Sequence, residues 1–210
     1  MALLTINHLH HAYGTDTVLS GATFSVDAGE KIGLVGRNGS GKTTLLRAIR
    51  GDLKPDGGTV QFARSARVGY LSQHHDLDPD RTVREEAASA FAELHALHEA
   101  LHAIYDEMAT AEGAALEALM ARQASLEDRI EAAGGYAVDH RIDATLHGLG
   151  FTDAQFELKV GVLSGGQRGR LGLAKLLLEQ PDLLMLDEPT NHLDIPGRRW
   201  LEDFLADEYP

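Results

Sequence analysis

Gly36-Arg37-Asn38-Gly39-Ser40-Gly41-Lys42-Thr43-Thr44 decides how this 210-residue sequence is read. The pattern Gly-x4-Gly-Lys-Thr follows a short apolar run, Lys31 to Val35, that predicts a strand, and it leads into a helical stretch from Lys42 to about Ile49. A strand, a glycine loop and a helix in that order can turn successive backbone N–H groups toward one anion, and the helix N-terminus adds partial positive charge. Lys42 then reaches the outer phosphates of a nucleotide, and the Thr43 hydroxyl ligates Mg²⁺. A glycine-rich turn that binds nothing would need neither the lysine nor the flanking elements.

Such a metal needs a carboxylate. Leu183 to Leu186 is a continuous apolar run, as a strand buried in a parallel sheet requires, and Asp187 stands at its carboxyl end. Ligands of open α/β sheets bind at that end. Glu188, next in sequence, can hold an attacking water as general base. An acidic strand end kept for solubility is the alternative, and it loses ground once the phosphate loop lies upstream. Ser164-Gly165-Gly166, at the start of another predicted helix, offers a hydroxyl and bare N–H groups as a second anion site. For an isolated Ser-Gly-Gly, an ordinary serine cap would be the better reading.

The rest of the chain supplies the frame. Leu3 to His8 and Thr17 to Val26 read as strands joined by a turn at Tyr13-Gly14, and Thr59 to Phe62 and Arg67 to Leu71 as two more. From Thr82 to about Ala133 the texture changes. Val83, Ala87, Phe91, Leu94, Leu97 or His98, Leu101, Ile104 or Tyr105, and Met108 recur at three- and four-residue steps, and Leu116, Leu119, Gln123, Leu126 and Ile130 do so after a break at Ala111-Glu112-Gly113. This predicts an antiparallel helical hairpin with a narrow apolar seam. Helices over about Val138 to His147, from Gly165-Gly166 to Glu179, and over Pro196 to Leu205 complete the reading.

Composition bounds the setting. The chain is 43% apolar and 24% charged, with a net charge of −13 and no cysteine. A disulfide framework is excluded, a reducing cytosol is the expected compartment, and a broad basic nucleic-acid surface is excluded. No basic leader precedes an apolar core at the N-terminus, and no run of about 18 apolar residues is long enough to span a membrane.

Three motifs in order resemble the ATP-binding cassette family. Leu163-Ser164-Gly165-Gly166-Gln167 looks like its signature, and Asp187-Glu188-Pro189-Thr190-Asn191-His192-Leu193-Asp194 looks like its metal strand and following loop. The Asn-His-Leu-Asp form is similar to the ABC-F branch, soluble ATPases that act on ribosomes. The resemblance implies an α/β fold: a P-loop NTPase cassette with an N-terminal antiparallel β part and an inserted helical hairpin arm. It divides the chain into core residues 1–81, an arm over 82–135, and a signature and metal-strand region over 136–210. ATP and Mg²⁺ are the implied cofactors. Tyr13 matches the aromatic that stacks on adenine, with a core tyrosine as its alternative. Gln73 matches the glutamine that touches Mg²⁺ and water, with a plain exposed strand end as its alternative. Ser164, Gly165, Gly166 and Gln167 would close over ATP held by a second cassette, in the same polypeptide or a second copy. Asp194 would report nucleotide state to that partner.

Two departures qualify the family picture. Within Thr82 to Gly134 stand 11 acids against 3 arginines, an excess that repels phosphate. Packing against protein, or an arm with few RNA contacts, fits better, so ribosome binding rests on resemblance. The family also carries a γ-phosphate histidine on a strand well beyond the catalytic glutamate, whereas this chain runs 22 residues past Glu188. The expectation is the front part of a longer polypeptide that binds ATP weakly and hydrolyses it poorly. A nucleotide-binding subunit of a membrane transporter and a non-catalytic ATP-binding module are the competing readings. A coiled-coil DNA-repair ATPase would need far longer arms. His98-Glu99-Ala100-Leu101-His102 matches the zinc-protease pattern, but a seam helix with no third ligand points to chance. His8, His10, His11, His74 and His75 read as surface or turn residues.

Overall fold

The computed structural model describes residues 2–71, 77–132 and 135–209, and they separate into two compact units. The first unit is built from residues 1–75, 180–191 and 202–210. Strand β1 (Ala2–Tyr13) is the centre of an antiparallel sheet, flanked by β2 (Asp16–Asp27) and β3 (Gly57–Phe62) in the order β2-β1-β3. Leu4 and Ile6 on β1 point inward, as period-two alternation requires. The ladder then slips: register shifts between Ile6 and Leu9 pass the inward face to Leu9 and His11. His8, inside that bulge, has φ +47°, and Gly58 opposite has φ +89°. A Cβ at Gly58 would run into the carbonyl oxygens of Asn7 and His8, so glycine is the residue this close approach permits.

Helix α1 (Lys42–Arg50) buries Leu45, Leu46, Ala48 and Ile49 against this sheet. A second, parallel pair consists of β4 (Val68–Leu71) and β5 (Leu183–Leu186), in register from Val68↔Leu183 to Leu71↔Leu186. Leu183 and Met185 of β5 join the same apolar core as α1 and β1. The expected strand over Lys31 to Val35 does not form. Those residues pair with no strand among the described residues, and Val35 is 98% exposed. An apolar run becomes a strand only where a ladder partner takes up its N–H and C=O groups. Tyr209 closes the unit by donating its hydroxyl to the Pro181 carbonyl at 2.8 Å, and burial pushes its phenol up to about 12.

The second unit, residues 76–179 and 192–201, is helical. Helix α2 (Val83–Ala88) opens with a full capping box: Glu85 N donates to the Thr82 hydroxyl at 3.2 Å, and Thr82 N donates to the Glu85 carboxylate at 2.8 Å. The hydrogen bond from the Thr82 backbone holds the exposed Glu85 carboxyl below its ordinary value. Where the periodicity ran on without interruption, the structure breaks the helix at Ser89–Phe91 before α3 (Ala92–Met108). The Ser89 hydroxyl donates to the Glu86 carbonyl at 2.7 Å, a local bond that competes with the helical ladder.

Helices α3 and α4 (Ala114–Ala132) pack as a hairpin along the expected seam. Leu94, Leu97, Leu101 and Ile104 are buried from one side and Leu119 and Ile130 from the other. Tyr105 donates to Glu127 at 3.1 Å, and Gln123 donates to Glu127 at 2.9 Å, so one polar rung crosses the seam. The rest of the unit comprises α5 (Val138–Gly148), α6 (Asp153–Phe156), α7 (Gly165–Glu179) and α8 (Ile195–Asp203) as far as Leu201. Leu171, Leu173 and Leu177 of α7 are buried. No helix among the described residues is long and apolar enough to cross a membrane.

Candidate functional site

The glycine loop begins where the unpaired 31–35 segment ends, and α1 starts at Lys42 with Gly41 as its cap residue at φ +92°. That left-handed turn brings the Gly41 Cα against β2: a Cβ would sit 2.8 Å from Val18 Cγ1. Ser40 N donates to the Arg37 carbonyl at 3.1 Å, closing a turn across Arg37, Asn38 and Gly39. Gly36 faces the Ser40 side chain, and a Cβ there would displace the Ser40 hydroxyl. Lys42 folds back over the loop. Its Nζ donates to the Gly36 carbonyl at 2.9 Å and to the Arg37 carbonyl at 3.2 Å. An ammonium has three donors, so one is left for an anion. The loop residues are exposed apart from Gly41, and Thr43 is exposed beside half-buried Lys42 and Thr44. A small-residue turn, a helix N-terminus and a cation at one place fit a polyphosphate.

Asp187 follows β5 in the same unit, which shares its core with α1. Tyr70 on β4 pairs with Met185 and has Arg50 5.0 Å from its ring. Burial first, and the Asp187 charge second, raise the Tyr70 phenol above its ordinary value. Glu188 is exposed and holds φ +49°, a conformation that is uncommon for a side chain of its kind. Asn191 fixes it twice: Nδ2 donates to the Glu188 carboxylate at 2.7 Å, and the Asn191 N–H donates to the Glu188 carbonyl at 3.2 Å. Asn191 was part of the motif but had no assigned role in the sequence. Its signal was the three-residue spacing across a turn.

Tyr13 ends β1 and is 49% exposed, so it is not a core residue. Its ring meets His11 edge to face at 4.8 Å. His11, expected on the surface, is instead 7% exposed, because the bulge turns odd-numbered residues inward; His8 and His10 are exposed. Gln73, His74 and His75 lie outside the described residues.

The signature lies in the helical unit. Ser164 and Gln167 form a reciprocal cap on α7: Gln167 N donates to the Ser164 hydroxyl at 3.2 Å, and Ser164 N donates to the Gln167 side chain at 2.9 Å. Ser164 and Gly165 are exposed, and Gly166 and Gln167 half-buried. Gly169, one turn along, gives room to His192, whose Cδ2 would be 2.9 Å from a Cβ there. Asp194 caps α8 by accepting from Gly197 N at 2.9 Å. Sequence reasoning missed Glu86. Only 1% exposed, it pairs with Lys175 of α7 at 2.7 Å and with Arg81 at 3.4 Å. Among the described residues no three His, Asp or Glu side chains gather as a metal site.

The sequence profile of the ABC transporter family matches residues 19–191, from β2 through the Asp187-Glu188 turn. This chain is an ATP-binding cassette of that family. Among curated relatives, the cassette is 38% identical over 207 residues to an uncharacterized ABC transporter ATP-binding protein, YfmM of Bacillus subtilis, covering 99% of the cassette and 40% of that protein. It is 39% identical over 190 residues to the energy-dependent translational throttle protein EttA of Escherichia coli K12, covering 90% of the cassette and 34% of EttA. Of solved structures, the ATP-binding subunit of an ABC transporter superposes with a TM-score of 0.65 at 21% identity, over 99% of the cassette and 74% of that chain. The cassette therefore has the P-loop ABC fold. It spans well under half the length of both curated relatives.

Proposed function

We propose that this chain is the ATP-binding cassette of an ABC-F type, ribosome-associated translation factor that works in the cytoplasm, and that the intact protein hydrolyses ATP. The observation that carries the nucleotide part is the loop in which Gly36, Gly39 and Gly41 turn and Lys42 spans two carbonyls with one donor left over. The translational part is supported by the likeness to EttA and by a helical hairpin, α3 and α4, in the interval 82–135, where an ABC-F arm would lie.

In this reading the loop residues and Thr44 cradle the phosphates, Lys42 contacts the outer two, and Tyr13 stacks on the base. Thr43, Asp187 and Gln73 would hold Mg²⁺, which would supply charge neutralisation at the phosphates. Glu188, steadied by Asn191, accepts a proton from the water that attacks the γ-phosphorus, as the bond from that phosphorus to the β–γ bridging oxygen breaks and ADP leaves. Ser164, Gly165, Gly166 and Gln167 belong to the complementary half of a site whose other half lies on a second cassette, in cis or in a second copy. The acidic hairpin favours a protein or a limited RNA contact on the ribosome.

A second reading, the nucleotide-binding subunit of a transporter, draws support from the likeness to YfmM, named as an ABC transporter ATP-binding protein. Ribosome co-sedimentation separates the two. Expressed from the open reading frame that contains this chain, with Glu188→Gln to retain ATP, the protein is expected in the ribosomal pellet with Mg-ATP and in the supernatant without nucleotide. Its absence from ribosomes in both conditions, with recovery in detergent alongside an integral membrane protein, would establish the transporter reading.

A further inference from the structure

His11 is a buried polar side chain that the functional reading leaves unused. Its ring is more than nine-tenths buried, and neither nitrogen makes a well-directed hydrogen bond among the described residues. Nδ1 nevertheless lies 3.2 Å from the Asp56 carboxylate. Asp56 is itself fastened on both sides of His11: it accepts from Ala12 N at 2.8 Å, and its own N–H donates to the His10 carbonyl at 2.9 Å. Asp56 is thereby held beside His11, one residue before β3, where Gly57 is the ladder partner of His10. Against this fixed ring stands Tyr13, half-exposed, with its plane at 88° to the imidazole.

We propose that His11, clamped by Asp56, is the positioning residue for the Tyr13 ring and, through it, for the purine base of the bound nucleotide. This rests on the reading of Tyr13 as the base-stacking residue. An exposed tyrosine at a strand end is free to rotate about its side-chain torsions. An edge-to-face neighbour restricts that rotation and holds one face of the phenol outward, where a base can lie. Asp56 acts one step behind, keeping the imidazole edge in place. Removing the ring leaves the phosphate loop untouched but lets Tyr13 populate orientations that do not stack.

The test compares two ligands that share phosphates and differ in the base. Mg-ATP and Mg-tripolyphosphate are titrated calorimetrically into the 210-residue chain and its variants, with circular dichroism to confirm folding. His11→Ala is expected to weaken ATP by about three- to tenfold while tripolyphosphate changes by less than about twofold, the scale of one aromatic contact. Asp56→Asn should act in the same direction with a smaller effect. His11→Phe keeps an edge-to-face ring without the carboxylate contact and should restore most of the ATP affinity, which a purely structural defect would not allow. Equal loss of both ligands in His11→Ala, or no loss of either, overturns the proposal. Tyr13→Ala tells its failure from that of the underlying reading. If Tyr13→Ala weakens ATP and His11→Ala does not, only the positioning role is wrong. If Tyr13→Ala leaves ATP unchanged, the base-stacking role falls and the proposal falls with it.

Discussion

Lys42→Ala is expected to weaken Mg-ATP binding by about 2 to 3 kcal/mol, the range of charge-assisted hydrogen bonds to an anion, or roughly 30- to 150-fold. Two effects add. On the proposed reading the charge that faces the phosphates is lost, and so is the brace by which Nζ holds the Gly36 and Arg37 carbonyls at 2.9 and 3.2 Å. Without that brace the turn closed by Ser40 N has no side-chain tie across its mouth. Lys42→Arg is not expected to rescue binding, since a flat guanidinium fork cannot serve two converging carbonyls and an anion as a compact ammonium does. Calorimetric titration of both variants decides it, and an alanine variant within about threefold of the parent would refute the loop assignment.

Glu86→Ala is expected to lower the unfolding free energy of the helical unit by about 2 to 3 kcal/mol, toward the low end for removing one member of a buried ion pair. The lower end applies because Lys175 keeps about a quarter of its side chain exposed and Arg81 nearly half, and Arg81 retains Asp78 at 3.4 Å. What cannot be recovered is the 2.7 Å pairing that ties α2 to α7. Replacing both partners, Glu86→Leu with Lys175→Met, should recover much of the loss, because the buried charge is then gone instead of stranded. Urea unfolding followed by circular dichroism measures both variants. A single-variant loss under about 1 kcal/mol would mean that the cluster is ordinary surface charge.

What the sequence disclosed follows physical range. The helix start at Lys42 behind a left-handed Gly41, and the strand that ends at Leu186 before Asp187, were legible because such local features are encoded within a few residues. The hairpin seam was legible because helical periodicity repeats over many turns, and Leu94, Leu97, Leu101, Leu119 and Ile130 are buried where the pattern put them. Three features were hidden. His11 was misplaced because a bulge near His8 changes which parity of β1 faces the core, and a one-residue slip moves every later side chain to the other face. Lys31 to Val35 has strand composition, but composition carries no information about which ladder partner is present. Glu86 reads as one more surface acid on a charged helix, and its burial depends on Lys175, 89 positions away.

Glu188 places two demands on one position. Its backbone, at φ +49°, sits where glycine or asparagine is comfortable and a longer side chain is held at a cost of about 1 to 3 kcal/mol. If stability alone shaped the protein, drift would replace this glutamate with glycine. On the proposed reading of Glu188 as general base, a carboxylate anchored there by Asn191 puts use ahead of backbone comfort. Random mutagenesis screened only for folding should therefore enrich changes at 188, whereas a screen for activity should purge them.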